Sequence, residues 1–456
     1  MSFQANLFHY TFLNKLFCIE LFHNSYKIKC RVIHESICFP FGCLVLFIKD
    51  MKKASTQFSV FVAVFMAMLA MGSGALAGEK AAGKELSKVI RRARPGQKLN
   101  VSELTLSNKT TATLDMKRVS KPGVKFLLSD MPEYFRTGNG IAMQERVSKG
   151  TVRLYTYHVP TPDAPKKKIT AVIENLGTKP MKFKFTRYAF PKPGGFYQKL
   201  AKEGMHDFLS GKVPFKGIRK VNPGDRMVID PQMDKYVTKK DDLVHGWYEF
   251  EISEGSRITV FQCDPKDNSL TVIDNLPKLP RKFKDHKRDG AGRGLFEEVD
   301  FDVTPADEKY VFDTAEGIKQ ILVADGKRDP WITGYDHIQD RRDVNKGNYG
   351  CLYNIKLKWK SSDGKGVALV AYTSKGSGKW CRKRSMVVKV NHGMSKGGII
   401  DVPSKEVLWD EYPEAVLIQK YAPKAKDKVQ TIELQFTPPG ASCLPIPFAL
   451  IPFDVR

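Results

Sequence analysis

The sequence predicts a mainly β protein, with two antiparallel β-sandwich-like domains and a few short helices, after an N-terminal signal peptide. Three observations carry this expectation. Short runs rich in β-branched and aromatic residues alternate in polarity between Pro, Gly, Asn and Asp clusters. A basic, turn-rich stretch divides them into two groups, and an uncharged apolar segment behind a lysine pair precedes them all. With 456 residues, 42% of them hydrophobic, the chain can fill sizeable cores, which excludes disorder or a coiled coil as a whole-chain description. No series of long apolar runs is present, so a channel or transporter is excluded as well.

Residues 1–50 hold Cys18, Cys30, Cys38 and Cys43, with a single Gly and no sustained period. Met51-Lys52-Lys53 then opens an uncharged stretch from Ala54 to Ala77, apolar from Phe58 to Met71 and closed by Ala75-Leu76-Ala77 before Gly78. A basic start, a short apolar core and an A-x-A site make a secretory signal peptide over 51–77, with Ala75, Ala77 and Gly78 marking cleavage. Because such a signal belongs at an N-terminus, residues 1–50 read as a mis-assigned upstream extension. The expected product is exported to the periplasm, cell surface or medium, and meets a membrane only through the signal segment if that is uncleaved. Residues 78–456 keep 67 Lys and Arg against 46 Asp and Glu, a net of +21.

Domain 1 is expected over 78–275. It opens with a short amphipathic helix at Lys84–Arg92. Strands follow at Thr151–Val159, Ile169–Glu174, Met181–Phe185, Met227–Ile229, Trp247–Ile252 and Arg257–Phe261. A helical insertion at Tyr197–Leu209, with Leu200, Ala201, Phe208 and Leu209 at helical spacing, caps one end. A basic linker spans 276–298, and domain 2 spans 299–456. Its strands begin with Tyr310–Phe312 and Gln320–Ala324 and run through Leu352–Trp359 and Val367–Tyr372, joined by an Asp363-Gly364 hairpin, to Thr431–Phe436. A faint repeat runs through both halves: strand, polar loop, strand ending in a turn, then an Ile-Asp-Pro-like strand end (Ile229-Asp230-Pro231 against Ile400-Asp401-Val402-Pro403).

The expected function is non-enzymatic: a basic cell-envelope or secreted binding and structural protein that associates with anionic surface polymers or polysaccharides, not nucleic acid. The expected polyanion contacts are Arg281, Lys282, Lys284, Lys287, Arg288 and Arg293 in the linker, and Lys379, Arg382, Lys383 and Arg384. The alternative is a carbohydrate-binding or glycoside-hydrolysing protein using Asp410, Glu411 and Glu414 beside Trp409 and Tyr412, because carboxylates bond sugar hydroxyls and aromatics stack on sugar faces.

Cys263, Cys351, Cys381 and Cys443 permit disulfides in an exported chain. No cofactor and no metal are expected. The histidines lack H-x-x-x-H spacing, although His158 and His245 could converge across a sheet with Asp207 or Asp225. Asp325, Asp329, Asp336, Asp340 and Asp343 are conceivable calcium ligands but do not follow an EF-hand. Gly290-Ala-Gly-Arg-Gly294 lacks the strand and helix of a dinucleotide site, and Gly376-Ser-Gly-Lys379 lacks the hydroxyl residue of a P-loop.

Overall fold

In Leu352–Lys360 the residues alternate Tyr353, Ile355, Leu357 and Trp359 inward against Asn354, Lys356, Lys358 and Lys360 outward. This period of two makes a half-buried strand, and it recurs along the chain. The protein is mainly β with several mixed sheets. The computed structural model describes residues 37–39, 42–44, 84–99, 106–136, 138–163, 166–281, 283, 290–373, 383–405, 407–409 and 414–456. The signal segment and its cleavage residues Ala75, Ala77 and Gly78 lie outside them. The chain divides into two units, Met1–Glu79 and Lys80–Arg456. Within the first, Ile37–Phe39 pairs antiparallel with Gly42–Leu44.

The second unit contains two series of nine strands. The first is β1 (Val124–Ser129), β2 (Gly140–Val147), β3 (Gly150–His158), β4 (Lys168–Asn175), β5 (Met181–Ala189), β6 (Arg219–Val221), β7 (Arg226–Val228), β8 (Val244–Ile252) and β9 (Ser256–Cys263). The other is β10 (Asp300–Pro305), β11 (Lys319–Val323), β12 (Leu352–Lys360), β13 (Gly366–Tyr372), β14 (Met386–Val390), β15 (Gly398–Val402), β16 (Ala415–Tyr421), β17 (Gln430–Phe436) and β18 (Ile446–Phe453).

In the first series one sheet runs β6-β5-β8-β3-β1 and the other β7-β4-β9-β2; in the second they run β15-β14-β17-β12-β10 and β16-β13-β18-β11. Each strand of one series therefore has its counterpart nine places later, with the same neighbours. Direction repeats too: β1 is parallel to β3 and β10 to β12, while the other pairings of both series are antiparallel. Two four-stranded layers interleaved in this order, β3-β8-β5-β6 facing β2-β9-β4-β7, have the strand order of a jelly roll. The parallel pairs depart from the expected all-antiparallel sheets. They arise because β2 and β11, which lie between the paired strands in sequence, cross to the opposite sheet.

Short strands extend these sheets across the expected boundary. Met116–Lys121 pairs with β10, Lys98–Leu99 with β16 and Ala112–Thr113 with β11. Arg293–Phe296, placed in the linker by the sequence, is a strand between β1 and Thr333–Asp336. Its glycines explain the Gly-rich run. A Cβ at Gly290 (φ +84°) or Gly294 (φ +116°) would fall on the carbonyl of Asp130 or Tyr335, so backbone packing demands them.

One apolar core lies between the sheets of the first series (Leu127, Leu154, Phe183 and Phe250 against Met143, Ile173 and Val260). Another fills the second series (Tyr353, Ile355 and Leu434 against Leu369, Ile418 and Phe448). Helix α1 (84–92) belongs with Ala368, Val370, Leu417 and Ile451 on the outer face of β13, β16 and β18 through Ile90. Helix α2 (Tyr197–Ser210) does not cap an end. It is held between β5 and β8 on one side and β14 and β15 on the other, with Phe208 stacked 3.8 Å from Trp247.

Candidate functional site: an arginine rung on the four-stranded sheet

The outer faces of the two β2/β4/β7/β9-type layers have diverged. In the second series this face is apolar and covered by α1. In the first, the register places Arg226 of β7 opposite Glu174 of β4, Glu174 opposite Arg257 of β9, and Arg257 opposite Arg146 of β2. Directly opposed residues share a face, so one rung crosses all four strands with three arginines and one glutamate. The next rung is Val228, Val172, Thr259 and Gln144.

Beside these rungs lies a cavity of about 220 Å³, closed by the turn Val272–Asn275 and by Lys278. Arg226 donates to both Asp274 oxygens at 2.7 and 2.9 Å and to the Leu270 carbonyl at 2.8 Å. This pairing holds the Arg226 guanidinium more firmly protonated and pulls Asp274 below the usual carboxylate range. Arg257 lies 3.3 Å and Arg226 3.6 Å from the same Glu174 oxygen. Arg146 and Lys278 are exposed and have no carboxylate within 4.0 Å among the described residues. Three cations, Arg226, Arg257 and Lys278, thus face the carboxylates of Glu174 and Asp274 in a basin roomy enough for a carboxylate, sulfate or phosphate group. Arg146 stands exposed at the end of the same rung.

The expected residues that the structure describes lie elsewhere. Arg293 is fully buried; it donates to Asp336 at 2.7 Å and to the carbonyls of Ala142 and Leu279. Arg384 is also buried and bonds the carbonyls of Tyr372, Cys443 and Pro445. Arg281 pairs with the buried Asp343. Arg293 and Arg384 are corrections, because a fully buried guanidinium that satisfies carbonyls and carboxylates cannot meet a polymer, whereas Arg281 is half-buried. Lys383 is placed by its backbone alone, and Lys282, Lys284, Lys287, Arg288, Lys379 and Arg382 lie outside the described residues. So do Asp410 and Glu411, while Glu414 is ion-paired with Lys98 at 2.9 Å.

His158 and His245 do not converge. His245 stands opposite Tyr157, one position out of step with His158, so the two rings leave opposite faces of the sheet. His158 bonds Ser129 Oγ at 2.7 Å and the Pro132 carbonyl, and His245 bonds the Thr156 carbonyl. Burial pushes both down to about 4. The Ser129–His158 contact has the geometry of a nucleophile and base, but both residues are fully buried. The aspartates considered for calcium serve as internal partners. Asp336 and Asp343 hold Arg293 and Arg281, Asp329 holds Arg118, Asp325 accepts two backbone N–H groups, and Asp340 accepts from Tyr335. Cys263 and Cys351 are buried free thiols. Cys443 is disulfide-bonded, and Cys381 lies outside the described residues.

The sequence hides the rung because each arginine occupies an ordinary outward position on its own strand. Only the pairing register gathers them.

No family model matches the chain, and no curated protein matches it. Among solved structures, a deletion mutant of Bacillus subtilis oxalate decarboxylase is 12% identical, with 74% of this chain and 78% of that one covered and a TM-score of 0.13. A second mutant of that enzyme gives the same figures. A cupin 2 conserved barrel domain protein from Leptotrichia buccalis is 9% identical, with 76% and 98% covered and a TM-score of 0.08. Similarities at this level carry no argument about activity.

Proposed function

We propose that the protein is an exported, non-enzymatic binding protein for anionic surface polymers, built from two jelly-roll sandwiches that arose by duplication. The observation that carries this reading is the rung Arg226–Glu174–Arg257–Arg146 with Lys278 beside it. Duplicated layers begin with equivalent faces. One copy buries its face under a helix, whereas the other covers part of it with the turn Val272–Asn275 and leaves the Arg146 end exposed. There it sets two arginines directly opposite each other, an arrangement that costs stability until a counter-charge arrives. The +21 excess of residues 78–456 steers anionic partners toward it.

The test uses dextran sulfate and poly-glutamate as probes, with neutral dextran as control. Binding should weaken steeply with salt, and Arg146→Glu combined with Lys278→Glu should weaken it by about tenfold or more, since each reversed charge is worth roughly 1 kcal/mol in a partly exposed site. Salt-insensitive binding, equal competition by neutral dextran, or unchanged affinity in the double variant would overturn the assignment.

A further inference from the structure

The two halves meet along an open groove of about 530 Å³, distinct from the arginine basin. One wall comes from the first half's extended sheet, with Leu295, Thr333 and Tyr335. The other comes from the second half, with Arg118 and Phe301. Trp331 stands at its edge, 38% exposed, and Glu297 and Glu298 are exposed along the rim. Neither glutamate has a hydrogen-bond or ion-pair partner among the described residues.

The exposed indole is rigidly presented. The carboxylate of Asp329, two residues earlier, accepts from Arg118 at 2.5 Å, from the Ala324 N–H at 2.6 Å and from the Tyr353 hydroxyl at 2.8 Å. The Pro330 carbonyl accepts from Arg118 and Asn348. The ring itself lies against Gly326, where a Cβ would come within 3.0 Å of it. A large, partly exposed apolar ring held by a half-buried polar lock loses little further entropy when something stacks on it.

From this we infer that the groove is a binding site for a neutral sugar ring, with Trp331 as the stacking platform, Glu297 and Glu298 accepting from hydroxyls, and Tyr335 and Leu295 forming the wall. A pyranose offers what this lining complements: an apolar C–H face for the indole and outward hydroxyls for the carboxylates. A quaternary ammonium ion would also suit indole and carboxylate. Here, however, the Arg118 guanidinium already occupies the second aromatic face, 4.2 Å over the Phe301 ring, so a cation would find the indole alone rather than an aromatic cage. The volume falls within the roughly 300–1,000 Å³ usual for small-ligand sites.

The full chain is titrated calorimetrically with neutral hexasaccharides (cello-, malto-, manno- and chitohexaose) and with tetramethylammonium chloride. At least one hexasaccharide should bind at constant affinity from low to high salt. Trp331→Ala should weaken it by about tenfold or more, the order of one lost stacking contact, and Glu297→Gln/Glu298→Gln should weaken it severalfold. Unchanged circular dichroism would show that these variants fold. The site is refuted by binding of none of the four sugars, by equal affinity in Trp331→Ala, or by tetramethylammonium binding that depends on Trp331. The Arg146→Glu/Lys278→Glu variant should keep its sugar affinity, so failure of either site is read separately.

Discussion

Arg146 and Arg257 stand directly opposite one another in the β2–β9 ladder, and Glu174 neutralises only the Arg257 side of the pair. Like charges so placed repel, and Glu174 is already shared with Arg226. Arg146→Ala should therefore raise stability, by up to about 1 kcal/mol, while lowering polyanion affinity. Urea unfolding at low and high salt checks this. The gain should shrink as salt screens the pair, and a loss of stability at both salt levels would show that the opposition is not repulsive.

Arg293 gives the opposite expectation. Its guanidinium and the Asp336 carboxylate are both buried, so Arg293→Ala strands a carboxylate away from water. The cost should be about 3–5 kcal/mol of unfolding free energy, with no change in affinity for dextran sulfate if the variant is assayed below its unfolding midpoint. A variant of unchanged stability and reduced affinity would return Arg293 to the binding surface.

His245 makes stability depend on pH. Its imidazole lies among the Tyr155 and Tyr157 rings, and burial lowers it to about 4 from the ordinary 6.5. Between these values the unfolded chain binds a proton that the native protein does not, so stability falls as pH drops from about 6.5 to about 4. His158 acts with the same sign. Glu145, raised by burial to about 7 despite its contacts with His337, acts in the opposite sense, since its stabilisation is lost as pH rises from 4.5 to about 7. His245→Phe should remove about one proton from the acid-side dependence of unfolding free energy. An identical pH profile in the variant would mean that His245 is protonated in the native protein.

The sequence by itself determined the β character, the α1 and α2 helices to within a residue, and two matches of the faint repeat, β3 with β12 and β4 with β13, because period-two and helical alternation are local properties written in neighbouring residues. Its Ile-Asp-Pro match is corrected, since β7 has β16 as its counterpart and β15 has β6. The strand at Thr151–Val159 and the helix at Tyr197–Leu209 were legible in this way. What only the tertiary structure decided is which strand lies beside which. The jelly-roll order repeated in both halves, the Arg293–Phe296 strand inside an apparent linker, and the Arg146–Arg257–Glu174–Arg226 rung all follow from pairing between residues far apart in the chain, 164 positions for Arg293 and Ser129. The same limit explains why Arg293 and Arg384 read as surface contacts. Arg293 and Arg384 look like surface charge in basic stretches, and only the carboxylates and carbonyls brought to them by distant segments make them internal. Charge content is local arithmetic, whereas its exposure is set by packing.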